Sequence, residues 1–131
     1  MNAALEFHDS TLTGIERRGS FLTVVLNPAY IHKFEQRDGT EARTGWNHTV
    51  HLTVESGEAN GNLSSLPEEL ESGSLQCGDT PYPHLVPVPL QFTGSVSLQL
   101  TCLSGHSLVV VGRAITVALV GAGKYVERVP F

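Results

Sequence analysis

The segment SVSLQLTCL, Ser95 to Leu103, alternates without a break: Val96, Leu98, Leu100 and Cys102 on one side, Ser97, Gln99 and Thr101 on the other. Successive side chains of an extended chain point to opposite faces, whereas a helix brings together residues three or four apart. This pattern buries one apolar row only as a strand with one covered face. The same period runs through GWNHTVHLTVE, where Trp46, His48, Val50, Leu52 and Val54 share a face and Asn47, His51, Thr53 and Glu55 share the other. It returns in HSLVVVGRAITVALVG, with Ile115, Val117 and Leu119 inward and Gly112 marking a bend or bulge.

Shorter strands are expected at Leu12–Glu16 and from Phe21, where Leu22, Val24 and Leu26 alternate with Thr23 and Val25 up to an interruption at Asn27-Pro28. Turns are expected around Arg18-Gly19-Ser20, at Asp38-Gly39 within a polar hairpin loop FEQRDGTEART, at Ser104-Gly105, and as a hairpin at Gly121-Ala122-Gly123. Charged residues make up 16% of the chain, below the roughly 25% of an average domain, and Thr, Ser, Val and Gly are plentiful. With 131 residues, one domain spanning 1–131 follows. The expected fold is all-β, an antiparallel β-sandwich or small barrel. At most one short helix is expected, near residues 66–72, with Ser65 as N-cap, Pro67 in the first turn and Gly73 as stop. Pro87 and Pro89 fall opposite Val86, Val88 and Leu90, an extended segment that cannot be a central strand.

Charge narrows the partners. The net charge is −5, and from Thr44 to Gly112 there is no Lys or Arg. That stretch holds Glu55, Glu58, Glu68, Glu69, Glu71 and Asp79. Nucleic acid and anionic membrane surfaces both call for a basic stripe, so neither is expected as a partner. No run reaches the ~18 apolar residues of a spanning helix. The beginning MNAALEFHDS lacks the pattern of a secretion signal, which makes the cytoplasm the default location. Two cysteines make no disulfide framework. Cys102 lies in a strand pattern and Cys77 in a Gly-flanked loop. A bond between them stays open on sequence alone, although a reducing compartment argues against it.

Three groupings invite a chemical reading. In EFHDST, His8, Asp9 and Ser10 are adjacent, so an extended chain points them apart and they form no relay. They fit better as an Asx- or ST-turn that launches a strand. GWNHTVHLTVESG resembles the first motif of the cupins, through Gly45, His48, His51 and Glu55. The resemblance implies a divalent-metal barrel enzyme; no histidine of a matching second motif follows, and His84 is the further candidate ligand. It departs where the cupin histidines are separated by one residue and these by two, which places them on opposite faces unless a bulge intervenes. GAGKY is no phosphate loop, because Ala118 stands where the upstream glycine belongs and Tyr125 where Ser or Thr belongs. Cys77 as a nucleophile would need a base, and acidic surroundings raise its pKa instead.

The opening LEFHDSTLTGIE, through Phe7, His8, Asp9, Ser10 and Leu12, resembles small bacterial all-β proteins of unknown function, some of them immunity-like. The resemblance implies a non-enzymatic, protein-binding role. The leading expectation is therefore a cytosolic immunity- or adaptor-like binding module without a cofactor. Its acidic, proline-rich middle (Glu55, Glu58, Glu68, Glu69, Glu71, Asp79) would engage a basic protein. The metal-dependent barrel enzyme (His48, His51, Glu55, His84) is one alternative, and a small-ligand-binding barrel with an apolar pocket is another. A homodimer is an expected state, since symmetric dimers are the commonest oligomers.

Overall fold

A computed structural model describes residues 2–63 and 65–129, except for the side chain of Arg37. Among these residues there is no helix and there are ten strands. They are β1 (Ala3–Glu6), β2 (Thr11–Arg18), β3 (Phe21–Arg37), β4 (Thr40–Glu55), β5 (Glu58–Gly61), β6 (Glu68–Cys77), β7 (Thr80–Tyr82), β8 (Leu85–Pro87), β9 (Leu90–Cys102) and β10 (Ser107–Val129).

All pairings are antiparallel and form one sheet in the order β2-β6-β9-β10-β4-β3-β1-β8, with β5 on β10 and β7 on β6. Because β2 also pairs with β3, the path β2-β6-β9-β10-β4-β3 returns to its start. The all-β expectation is met, and the pairing closes a small barrel-like ring. The seam is thin: β6 meets β2 only at Glu69↔Thr11 and Glu68↔Leu12. Inside lie the alternating rows read from the sequence, among them Leu22, Val24 and Leu26, Val50, Leu52 and Val54, Val96, Leu98, Leu100 and Cys102, and Ile115 and Val117. Each fully buried Leu or Val among them contributes about 1.5–3 kcal/mol.

Two strands outrun the ring. β3 changes neighbour at Asn27-Pro28: up to Leu26 it pairs β2, and from Tyr30 it pairs β1. Pro28 cannot donate to a ladder, and the β3–β4 register shifts between Leu26 and Ala29. β10 likewise leaves β9 after Val117 but stays on β4 as far as Val129. The outer parts of β3, β4 and β10 thus form a three-stranded blade that outruns the ring, with β1 and β8 added beside β3 at its base, over Tyr30 to Lys33. Its tip is the Asp38-Gly39 turn, where φ values of 51° and 75° give the type I′ geometry that suits a two-residue hairpin.

Several expectations are corrected. Residues 66–72 form no helix, and Glu68–Cys77 is strand β6 instead. Seven residues make a marginal helix alone, while β6 gains a ladder on β9 and buries Leu70, Leu75 and Cys77, with a bulge between Leu70 and Ser72. Cys77 therefore ends a strand rather than lying in a loop. The stretch from Glu55 to Pro89 is not one long connection but carries β5 to β8. FEQRDGTEART is regular ladder up to its two-residue turn, with Phe34↔Arg43, Gln36↔Glu41 and Arg37↔Thr40 paired. Gly121-Ala122-Gly123 is no hairpin. It is a bulge inside β10, which resumes pairing with the same strand as Lys124↔Asn47 after Val120↔Thr49. The Pro87 segment is terminal in the sheet order, as expected for a strand bearing proline.

Candidate functional site

The FHDS element is the corner where β1 passes into β2, opposite the break in β3. Asp9 takes a φ of 71°, and His8 and Asp9 point outward with His8 Nδ1 3.3 Å from Asp9 Oδ1. Ser10 is 1% exposed. Its hydroxyl reaches back rather than forward, donating to the Glu6 carbonyl at 2.7 Å and accepting from the Tyr30 N–H at 2.9 Å. Its own carbonyl accepts from the Leu70 N–H at 2.9 Å. Ser10 therefore links β1, β3 and β6, and its hydroxyl is engaged by backbone groups on both sides.

A second Ser/His/acid grouping escaped the sequence reading. Ser104 Oγ donates to Glu68 Oε1 at 2.6 Å, and His106 Nδ1 lies 3.2 Å from Glu68 Oε2 and 3.2 Å from Ser104 Oγ. A catalytic relay places the hydroxyl and the carboxylate on different ring nitrogens. Here both face Nδ1, so the grouping pins the β9–β10 hairpin to the start of β6. The Ser104 hydrogen bond, with help from Cys102 and His106, holds the Glu68 carboxyl below the usual carboxylate range. Burial, reinforced by Glu68, pushes the Cys102 thiol up to about 11, and burial also raises Cys77. Both cysteines are free and protonated at neutral pH, so neither is an activated nucleophile.

The residues of the cupin-like motif do not converge. His48 faces inward with Val50 and Leu52, whereas His51 lies on the opposite face, in register with Val25 and Ala118. Glu55 is exposed at the end of β4, and His84 is exposed between β7 and β8. Among the described residues, no group of three or more His, Cys, Asp or Glu side chains is arranged to hold a metal ion. Gly45 serves packing: a Cβ there would overlap the hydroxyl of Tyr30, which lies across it. Tyr30 Oη donates to Glu127 Oε1 at 2.7 Å, and the Tyr30 ring meets His32 edge-on at 5.0 Å.

His48 is 6% exposed, and neither ring nitrogen has a hydrogen-bond partner among the described residues. The bulge in β10 sets Gly123 against the ring, which a Cβ there would overlap. Burial, aided by the charge of Lys33, holds its pKa below the ordinary histidine value. The unfolded chain therefore binds a proton more readily than the folded one. Stability should be full above the unfolded-state value of about 6.5 and fall as pH drops through it, levelling off below the folded-state pKa. Urea titrations at pH 8 and pH 5.5 should show a smaller pH-dependent loss for His48→Phe than for the parent. Equal losses in the two proteins would refute this.

The acidic residues of the middle segment are scattered. Glu58 stands across Val111 and Ser97 from Gln76, so about 14 Å of strand spacing separates it from the Asp79 turn. Glu69 and Glu71 lie at the other end of β6, roughly 25 Å from Asp79 along the strand. Charge divides by region instead. Five of the eight Lys and Arg residues (Lys33, Arg37, Arg43, Lys124, Arg128) lie on the blade with four of the thirteen acids, leaving it at +1 and the rest at −6.

The blade also carries an open edge. From Ala118 to Val129, β10 pairs with β4 on one side, apart from bulges at Gly121–Gly123 and Val126, and no described residue pairs with the other. Val120, Tyr125 and Val126 are 40%, 53% and 44% exposed along it. Trp46 stands behind Tyr125, its ring 5.5 Å away and edge-on, with Lys33 Nζ 4.1 Å from its centre and Nε1–H donating to Thr44 Oγ1 at 2.9 Å. Beside them a cleft of about 450 Å³ is lined by Asp38, Thr40, Ala42, Thr44, Tyr125 and Arg128. Sequence reasoning missed this site because it treated residues 121–131 as a new strand after a turn. The signal that could have found it was the uninterrupted β-prone run on either side of GAG.

Compared with family models, with curated proteins and with solved structures, the chain matches none. No helix long and apolar enough to cross a membrane occurs among the described residues, a statement about helices alone.

Proposed function

We propose that this chain is a protein-binding module that receives an extended segment of its partner as an added strand along the outer edge of β10. The observation that carries this reading is the unpaired edge from Ala118 to Val129. A row of free N–H and C=O groups is a template for another strand: main-chain hydrogen bonds supply affinity, and neighbouring pockets select side chains. The exposed Val120, Tyr125 and Val126 and the cleft beside Thr44 supply those side-chain contacts. The immunity- or adaptor-like role implied by the FHDS resemblance is consistent with such a module. Electrostatic capture of a basic partner through Glu55, Glu58, Glu68, Glu69, Glu71 and Asp79 would need one continuous surface. Their scatter over the ring favours the edge instead.

Random-peptide display against the protein, with counter-selection on a Val120→Lys/Val126→Lys variant, tests the reading. Charged side chains on an edge blunt strand addition. Selected peptides should slow amide hydrogen exchange within residues 118–129. Protection confined to β5, β7 or β8 would defeat the proposal.

A further inference from the structure

Resting on the strand-addition reading, we infer that the received segment is acidic, with carboxylates that can reach both faces of the added strand. Two cations flank the open edge. Lys124 is in register with Asn47 on the outer face, and Arg128 with Thr44 on the inner face. Both are exposed, and neither forms an ion pair among the described residues. Glu127 is the one acid between Ala118 and Val129, and it already accepts a hydrogen bond from Tyr30 Oη. The edge therefore offers cationic groups on both faces, while its own anion is held against β3.

Side chains directly opposite on paired strands lie about 5 Å apart at Cβ, close enough for opposite charges to attract and like charges to repel. An inner-face carboxylate on the added strand would meet the Arg128 guanidinium, whose planar fork binds both oxygens at once. It would do so beside the cleft lined by Thr44, Tyr125 and Arg128, where Asp38 is the one acid in the lining. An outer-face carboxylate would meet the Lys124 ammonium. The acids of the ring do not cancel this locally, because at physiological ionic strength charge effects decay over about 8 Å.

The test uses three β-prone host peptides of equal length, alternating Thr and Val, with Glu, Gln or Lys at the guest positions. Trp46, the only tryptophan, reports binding by fluorescence, and hydrogen exchange locates it. With two exposed pairs gained, the Glu peptide should bind up to about tenfold more tightly than the Gln peptide and lose that margin at high salt. The Lys peptide should bind most weakly. A Lys124→Glu/Arg128→Glu variant, its fold checked by circular dichroism, should invert the order. Equal binding of all three peptides, with β10 protected, would overturn the acidic preference and leave strand addition standing. No protection by any peptide would remove both. Protection of β10 that grows with protein concentration alone would assign the edge to a second copy of this chain and overturn the inference.

Discussion

Phe7→Ala should destabilise the protein by about 3–5 kcal/mol, the range for emptying a buried aromatic site. Phe7 is 1% exposed and packs into the space that Gly73 leaves by having no side chain. A Cβ on Gly73 would stand 2.6 Å from Phe7 Cγ and 2.9 Å from both Phe7 Cβ and Leu100 Cδ2. Gly73→Ala by itself should therefore cost about 1–3 kcal/mol by overpacking. The two effects share one space. In the double variant the new methyl occupies part of what the ring vacated, so the combined loss should fall at least about 1 kcal/mol short of the sum. Urea unfolding of the four proteins gives the cycle. Strict additivity would mean that the two residues do not share a contact. Against a total stability of about 5–15 kcal/mol, the Phe7 loss alone is large.

Ser10→Ala should cost about 2–4 kcal/mol, because it removes the partner of one buried backbone group, at about 1–3 kcal/mol, and of a second that is part-buried and costs less. The groups are the Tyr30 N–H and the Glu6 carbonyl. Exchange of the Tyr30 amide should speed up by more than global destabilisation explains, because this bond holds β3 to the corner between β1 and β2. A loss under about 0.5 kcal/mol, with Tyr30 exchange unchanged, would show that the hydroxyl is dispensable. Together these outcomes would give FHDS a structural role: Phe7 fills the core, Ser10 ties three strands, and only His8 and Asp9 face solvent.

Much of the interior was legible from periodicity, because burial on one face of a strand repeats every second residue. The rows Val96 to Cys102 and Val50 to Val54 lie where alternation puts them. The separation of His48 from His51 follows from the same geometry, since β4 runs through both without a bulge of its own. Elements that depend on a distant partner were not legible. ELESG has acids, a proline before it and a glycine, the local marks of a short helix, yet it became a strand because β9 offers a ladder and Phe7 needs Gly73. GAG has the marks of a hairpin, yet β10 only bulges there, because β4 offers a ladder on both sides of it and Gly123 lies against the His48 ring. The open edge was hidden for the same reason, as an unpaired strand differs from a paired one only in what lies beside it.

By itself the sequence determined the all-β class, the strongly alternating strands with their buried faces, and the tight Asp38-Gly39 turn, since each depends on residues within a few positions of one another. Only the tertiary structure decided which strands are neighbours, that β3 and β10 outrun the ring, and that the cations gather on the blade. Those features depend on register between segments tens of residues apart. Backbone hydrogen bonds set that register and are the same for every side chain, so the local pattern of letters does not record it.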